Sequence, residues 1–320
     1  MKYQSNRAPG FRLKPYQLLI VVALFLTATA NLTFFTRVLE IYPWAENTAF
    51  LSFLGLATFA SLLFLAALFS LVLPARITAI VFLIAGAMSS YFADSFGTVI
   101  DADMLRNVIE TNPSESADLM TGSLATRLLL VGILPAIMAW RFGPRSRGLT
   151  HALLSNSATA VAALIMVAAS ISMFSSQYAS FFREHKQVRY YISPAYPLYS
   201  ALQLAASSLP KSAPLPFQSL GAMANILETP SAHSELVILV VGETARADHF
   251  SLNGYSRNTN PALAKIDRLI SYSQIQSCGT STAISVPCMF SYSSHDSFDV
   301  QSAHNTENGL DLLQSAGVNV

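Results

Sequence analysis

Five long apolar stretches crowd the first 180 residues, and no other feature limits the possible folds so strongly. They run over residues 16–35, 50–73, 77–96, 128–142 and 158–174. Each approaches the roughly 20 residues an α-helix needs to cross a hydrocarbon core about 30 Å thick. The fourth is short and contains Pro135. The first is too long for a cleaved signal segment and is followed by four more, so it reads as a retained anchor. Charge content agrees: 12% of residues are charged, against about 25% in a soluble domain. A net charge of +1 gives no bulk attraction to nucleic acid, which is not expected as a partner. Two cysteines exclude a disulfide-dense scaffold and a cysteine-rich zinc cluster.

Orientation follows from Lys and Arg in the short segments between spans. Lys2, Arg7, Arg12, Lys14, Arg76, Arg141, Arg145 and Arg147 fall on one side. Arg37, Arg106 and Arg127 fall on the other, together with Glu40, Glu46, Asp101, Asp103, Glu110, Glu115 and Asp118. The bias is eight to three. It predicts a cytoplasmic N-terminus in an inner membrane, with everything after the fifth span on the periplasmic side in a bacterial cell. Three regions result: a transmembrane domain over 1–180, an interfacial helix and linker over 181–233, and a polar domain from 234 to 320.

The loop at 97–126 is longer than a connector needs. Met104, Leu105, Val108 and Ile109 sit at helical spacing, while Asn107, Thr111 and Glu115 recur every four residues. A period of four places those polar groups on one helix face, although Pro113 breaks or kinks a single continuous helix. The face suits a lipid headgroup, and it also suits the solvated side of an interfacial helix. Further on, Tyr190, Tyr191, Tyr196 and Tyr199 fit a segment lying along the membrane surface, and the stretch around 210–216 reads as a Pro-rich linker.

The chemistry begins in the polar region. LVILVV at 236–241 has the pattern of a strand buried on both faces of a parallel sheet. Glu243 follows at its carboxyl end, where α/β sheets place ligands. As a functional residue it is a hard-oxygen ligand for a divalent metal; the alternative is a solvated loop residue. A second cluster, SCGTSTAISVPCMFS at 277–291, holds both cysteines. On an oxidising side, Cys278 and Cys288 are expected to pair. A helix beginning between them aims backbone N–H groups at an anion. Its Thr hydroxyls serve either as nucleophile or as helix caps.

VVGETARADHFSLNGYSRNTNP followed by SCGTSTAISVPCMFS resembles the lipid A phosphoethanolamine transferases, including the mobile colistin-resistance enzymes. FLTATANLTFF, MLRNVIETN and YASFFREHK extend the resemblance through the membrane region in the right order. It implies five transmembrane helices followed by the N-terminal part of an α/β periplasmic domain of the alkaline-phosphatase/sulfatase kind, with zinc as cofactor. In that frame Thr282 is the nucleophile that takes phosphoethanolamine from phosphatidylethanolamine and passes it to lipid A. Glu243 and Thr282 are zinc ligands, Cys278–Cys288 is a structural disulfide, and Asn107, Thr111 and Glu115 hold the headgroup.

The family's further ligands, an Asp–His pair and other histidines, lie far downstream of the Thr. The pair Asp248–His249 is upstream of Thr282, and His249 and His295 read as structural or surface residues. Residues 234–320 are too few for a doubly wound sheet with both faces covered. LDLLQSAGVNV reads as a helix, a Gly stop and the start of a strand. The chain is therefore expected to be a truncated form that is inactive by itself. The alternative is a non-catalytic headgroup binder or remnant. A sulfatase is disfavoured: its nucleophile motif is Cys-x-Pro-x-Arg, whereas Met289, Phe290 and Ser291 follow Cys288.

Overall fold

The computed structural model describes residues 12–110, 120–144, 149–207, 216–221, 224–225, 236–242 and 245–320. The chain divides into two compact units, residues 1–208 and 209–320. Thr111, Glu115 and Glu243 lie outside the described residues.

The first unit is helical. Helices α1 (Pro15–Thr29) and α2 (Leu32–Ile41) are followed by α3 (Trp44–Val72), α4 (Ala75–Phe96) and the short α5 (Ala102–Glu110). Helix α6 (Gly122–Phe142), α7 (Leu149–Met173), α8 (Ser175–Glu184) and α9 (Ala195–Ser207) complete it. Among the described residues, α3, α4, α6 and residues Ala152–Met173 of α7 are long and apolar enough to cross a membrane; α1 and α2 pass that test only together.

That pair corrects the expectation of one continuous span over 16–35, because α1 and α2 meet at a 56° bend. Asn31 causes the break. Only 1% exposed, it donates from Nδ2 to the carbonyls of Leu26 and Ser193, both at 2.9 Å. Its Oδ1 accepts from the Ser193 amide, also at 2.9 Å. An amide side chain in an apolar bundle must satisfy both ends. Here it does so by pairing with the backbone just before α9.

Arg127 belongs to α6 rather than to a solvated loop. Its Nη2 donates to Asp94 Oδ2 and to the Thr29 carbonyl, each at 2.7 Å. Asp94 Oδ1 accepts in turn from the Thr33 hydroxyl at 2.6 Å. The Thr29 carbonyl is one of the helix-end acceptors that the bend orphans, so this ion pair caps the break and ties α1, α2, α4 and α6 together. Lower in α6, the stretch Leu128–Ile133 is π-helical, and the Leu134 amide bonds the Leu129 carbonyl five residues back. This wide turn precedes Pro135, which has no N–H to continue an ordinary ladder.

Packing inside the unit follows membrane rules, with small residues at close approaches. A Cβ at Gly86 would meet Leu26 Cδ2 at 2.7 Å. One core joins Leu19, Leu26, Leu62, Phe82 and Leu83 across α1, α3 and α4. A second joins Phe34, Val38, Phe50, Tyr178 and Phe181 across α2, α3 and α8.

The second unit carries α10 (Thr282–Phe290), α11 (Val300–His304) and α12 (Gly309–Ser315). Gly317, at φ 94°, follows α12, in line with the helix and Gly stop expected there. The expected strand at 236–241 is not formed. Those residues have no ladder partner among the described residues, and they are 44–86% exposed. A strand requires a neighbour to take its backbone groups, and an apolar run by itself provides none. The one β-type pairing in the described residues is a parallel bridge between Gln218 and Thr306.

Candidate active site

Candidate residues occur in both units. In the second, Thr282 is the first residue of α10, after the extended residue Ser281, whose carbonyl accepts from the amides of Ile284 and Ser285. The Thr282 side chain is exposed. The positive end of the helix dipole lies at this turn, which favours an approaching phosphate.

A Cys278–Cys288 disulfide, with Cα atoms 6.2 Å apart, ties the loop before α10 to its final turn. Ser277 Oγ bonds the Gly279 carbonyl at 2.6 Å, and His295 Nε2 lies 3.3 Å from the Ser277 carbonyl. Asp296, 3.1 Å from Nδ1, together with that carbonyl raises the His295 pKa above its ordinary value. His295 therefore braces the loop that leads into Thr282. The sequence reads His295 as structural or surface; the particular loop it braces has no local motif, since the contact spans 18 residues.

The upstream motif is held by its own polar contacts. Arg246 makes a two-pronged bond to Asp248, at 3.0 and 2.6 Å. This guanidinium, assisted by His249, holds the Asp248 carboxyl far below the usual range. His249 packs its ring on Tyr255, centroids 4.7 Å apart. The Thr259 hydroxyl donates to the His249 carbonyl at 2.7 Å and accepts from the Ser251 amide at 2.9 Å. Asp248 and His249 are thus structural here.

In the first unit, Asn107 lies half-buried on α5. Asp101 starts that helix by accepting from the Met104 amide at 2.8 Å. Val108 and Ile109 are 52% and 75% exposed, so part of the apolar face stays open, as an interfacial helix requires. The Tyr191 hydroxyl anchors the start of the loop through the Gly97 carbonyl at 2.8 Å. The Tyr91 hydroxyl pairs with Thr121 at 2.7 Å and Ser123 at 3.1 Å where the loop rejoins α6.

Among the described residues no three His, Cys, Asp or Glu side chains converge to hold a metal. Thr282 with Glu243 makes two donors, fewer than the three that protein usually gives a catalytic zinc. The residues present do not by themselves fit that ion.

Comparison with known proteins joins the two halves. The family model described as phosphoethanolamine transferase EptA/EptB matches residues 58–209, and the sulfatase model matches residues 235–320. A membrane-helix bundle leading into a sulfatase-type domain defines the class. Within it, residues 58–209 are similar to the phosphoethanolamine transferase family. The chain is 42% identical to phosphatidylethanolamine transferase Mcr-2 of Escherichia coli over 97% of its own length, and 40% identical to Mcr-1 over 96%. The solved structure of EptA from Neisseria meningitidis, an integral membrane lipooligosaccharide phosphoethanolamine transferase, superposes with a TM-score of 0.80 at 30% identity, covering 94% of the chain. The chain spans 56–58% of the length of these relatives. The sulfatase-type character of the second unit rests on the sequence match rather than on a sheet among the described residues.

Proposed function

We propose that the chain supplies the membrane domain and the nucleophile-bearing segment of an enzyme that moves phosphoethanolamine from phosphatidylethanolamine to lipid A. The exposed Thr282 at the start of α10, braced by the disulfide, carries this reading. The Thr282 oxygen attacks the donor phosphorus, the bond from phosphorus to the diacylglycerol oxygen breaks, and diacylglycerol leaves with the proton. A lipid A phosphate oxygen then attacks the same phosphorus, the bond from phosphorus to the Thr282 oxygen breaks, and the proton of the attacking phosphate passes to Thr282 to restore its hydroxyl. The helix N-terminus faces the growing charge on phosphorus, the kind of fixed electrostatic support from which such reactions draw their rate. Asn107, Thr111 and Glu115 are proposed to hold the ethanolamine headgroup.

The topology that fits is an inner-membrane span region over 1–180 with a cytoplasmic N-terminus, an interfacial stretch over 181–233, and a periplasmic domain from 234 onward. Both substrates are lipids, so a nucleophile near the outer leaflet is what the chemistry asks for.

The test is a fusion of residues 1–320 to the corresponding remainder of Mcr-2, expressed in E. coli, with lipid A read by mass spectrometry. Phosphoethanolamine-modified lipid A is expected from the fusion and none from its Thr282→Ala variant. The 320-residue polypeptide by itself is expected to leave lipid A unmodified. Undiminished modification by the Thr282→Ala fusion would remove Thr282 as nucleophile.

A further inference from the structure

The end of the bundle remote from α5 contains a cavity of about 580 Å³. The end of α3 (Ser70, Val72), the start of α4 (Pro74, Arg76), the end of α6 (Trp140) and Asn156 of α7 line it. Helix α4 begins here and ends at Phe96, which puts the cavity about 30 Å from the loop carrying Asn107.

Among the described residues, three buried polar atoms of side chains from this cavity's lining residues have no partner. Asn156 is 2% exposed, and its Nδ2 donates to the Ser70 carbonyl at 2.8 Å. That bond fixes the amide orientation and leaves Oδ1 as an unsatisfied acceptor. Ser70, 6% exposed, has an unpartnered hydroxyl, and Arg76 has an unpartnered Nε. Arg76 is nevertheless held in place. Its Nη2 donates to the Gly143 carbonyl at 2.5 Å, and its guanidinium lies 5.7 Å from the Trp140 ring centre. A Cβ at Gly143 would sit 2.8 Å from Arg76 Cγ, so the close approach demands glycine. Buried polar atoms are normally satisfied, and three such atoms around one cavity describe a ligand: an acceptor for the guanidinium and the hydroxyl, and a donor for the amide oxygen.

The electrostatics narrow the choice. Residues 12–15, 73–77 and 141–144, which flank this end of the helices, hold Arg12, Lys14, Arg76 and Arg141 and not one Asp or Glu. An ammonium headgroup meets a field of its own sign there, whereas a net-negative phosphodiester does not. The apolar lining from Val72, Leu73 and Ile77 suits the start of acyl chains. We propose that this cavity binds an anionic phospholipid whose headgroup carries a hydroxyl, with its phosphate at Arg76 and Ser70 and its hydroxyl on Asn156 Oδ1. This site is separate from the headgroup face proposed for the reaction and does not depend on it.

The experiment uses the full 320-residue chain, stripped of lipid in detergent and titrated with phosphatidylglycerol, phosphatidylethanolamine or phosphatidylcholine under native mass spectrometry. One phosphatidylglycerol is expected to be retained at least ten-fold more tightly than either zwitterionic lipid. Arg76→Gln is expected to erase that preference. Arg141→Gln removes the same charge from an exposed position on the same end and is expected to change retention by less than two-fold. Should Arg76→Gln fail to fold, Val72→Trp fills the cavity from a side chain that is 87% exposed and should also abolish retention. Equal retention of the three lipids, equal effects of Arg76→Gln and Arg141→Gln, or full retention by Val72→Trp would each overturn the proposal.

Discussion

Glu307 holds two distant stretches of the polar unit together with a single carboxylate. It accepts from the Gly221 amide at 2.6 Å, the Leu220 amide at 2.7 Å and the Ser219 hydroxyl at 3.0 Å. The Gly221 amide foremost, then Ser219 and Leu220, hold its pKa below the ordinary glutamate value. A depressed carboxylate stabilises the fold above its unfolded pKa, and that contribution disappears as pH falls through the folded one. Hydrogen exchange at the Leu220 and Gly221 amides, corrected for the intrinsic exchange rate at each pH, should therefore accelerate as pH drops through that acid window. Glu307→Ala should show the faster corrected exchange already at neutral pH; a pH-independent corrected rate in the parent chain would remove Glu307 as the clasp. Single residues differ in how far sequence reveals them. Thr282 and the two cysteines stand out because their spacing lies within a dozen residues. His295 and Glu307 act across 18 and more than 80 residues, where no local pattern exists.

Helices carry the next lesson through the broken first span. Replacing Asn31 with Leu leaves the Ser193 amide and carbonyl buried without partners, at about 1–3 kcal/mol per orphaned group. Thermal unfolding in detergent should show the loss as a clearly lowered midpoint, while Asn47→Leu, on an exposed turn of α3, should change little. The bend was hidden in the sequence because residues 16–35 are apolar almost throughout, and the partner of Asn31 lies 162 residues away. The other four long apolar helices were legible, since an apolar run of about 20 residues is read directly from hydropathy. The strand at 236–241 was misread for the opposite reason. Its pattern is local, but its cause is a neighbouring strand, and no described residue provides one.

At the scale of the molecule, charge is partitioned along the bundle: cations without acids at one end, and acids together with the Arg127–Asp94 pair at the other. The asymmetry was readable from the sequence. The cavity was not, because Ser70, Arg76, Trp140 and Asn156 come from four helices. The open run Leu-Val-Ile-Leu-Val-Val also has a consequence for the molecule in bulk. Six uncharged residues, three of them Val and one Ile, with no ladder partner among the described residues, match the segments that template pairing between copies. The isolated chain is therefore expected to self-associate with rising concentration. A charge placed in the run, Val240→Lys, should shift light-scattering mass toward a single copy in its micelle. The stretch that reads as the heart of a sheet would then be the chain's chief liability in solution.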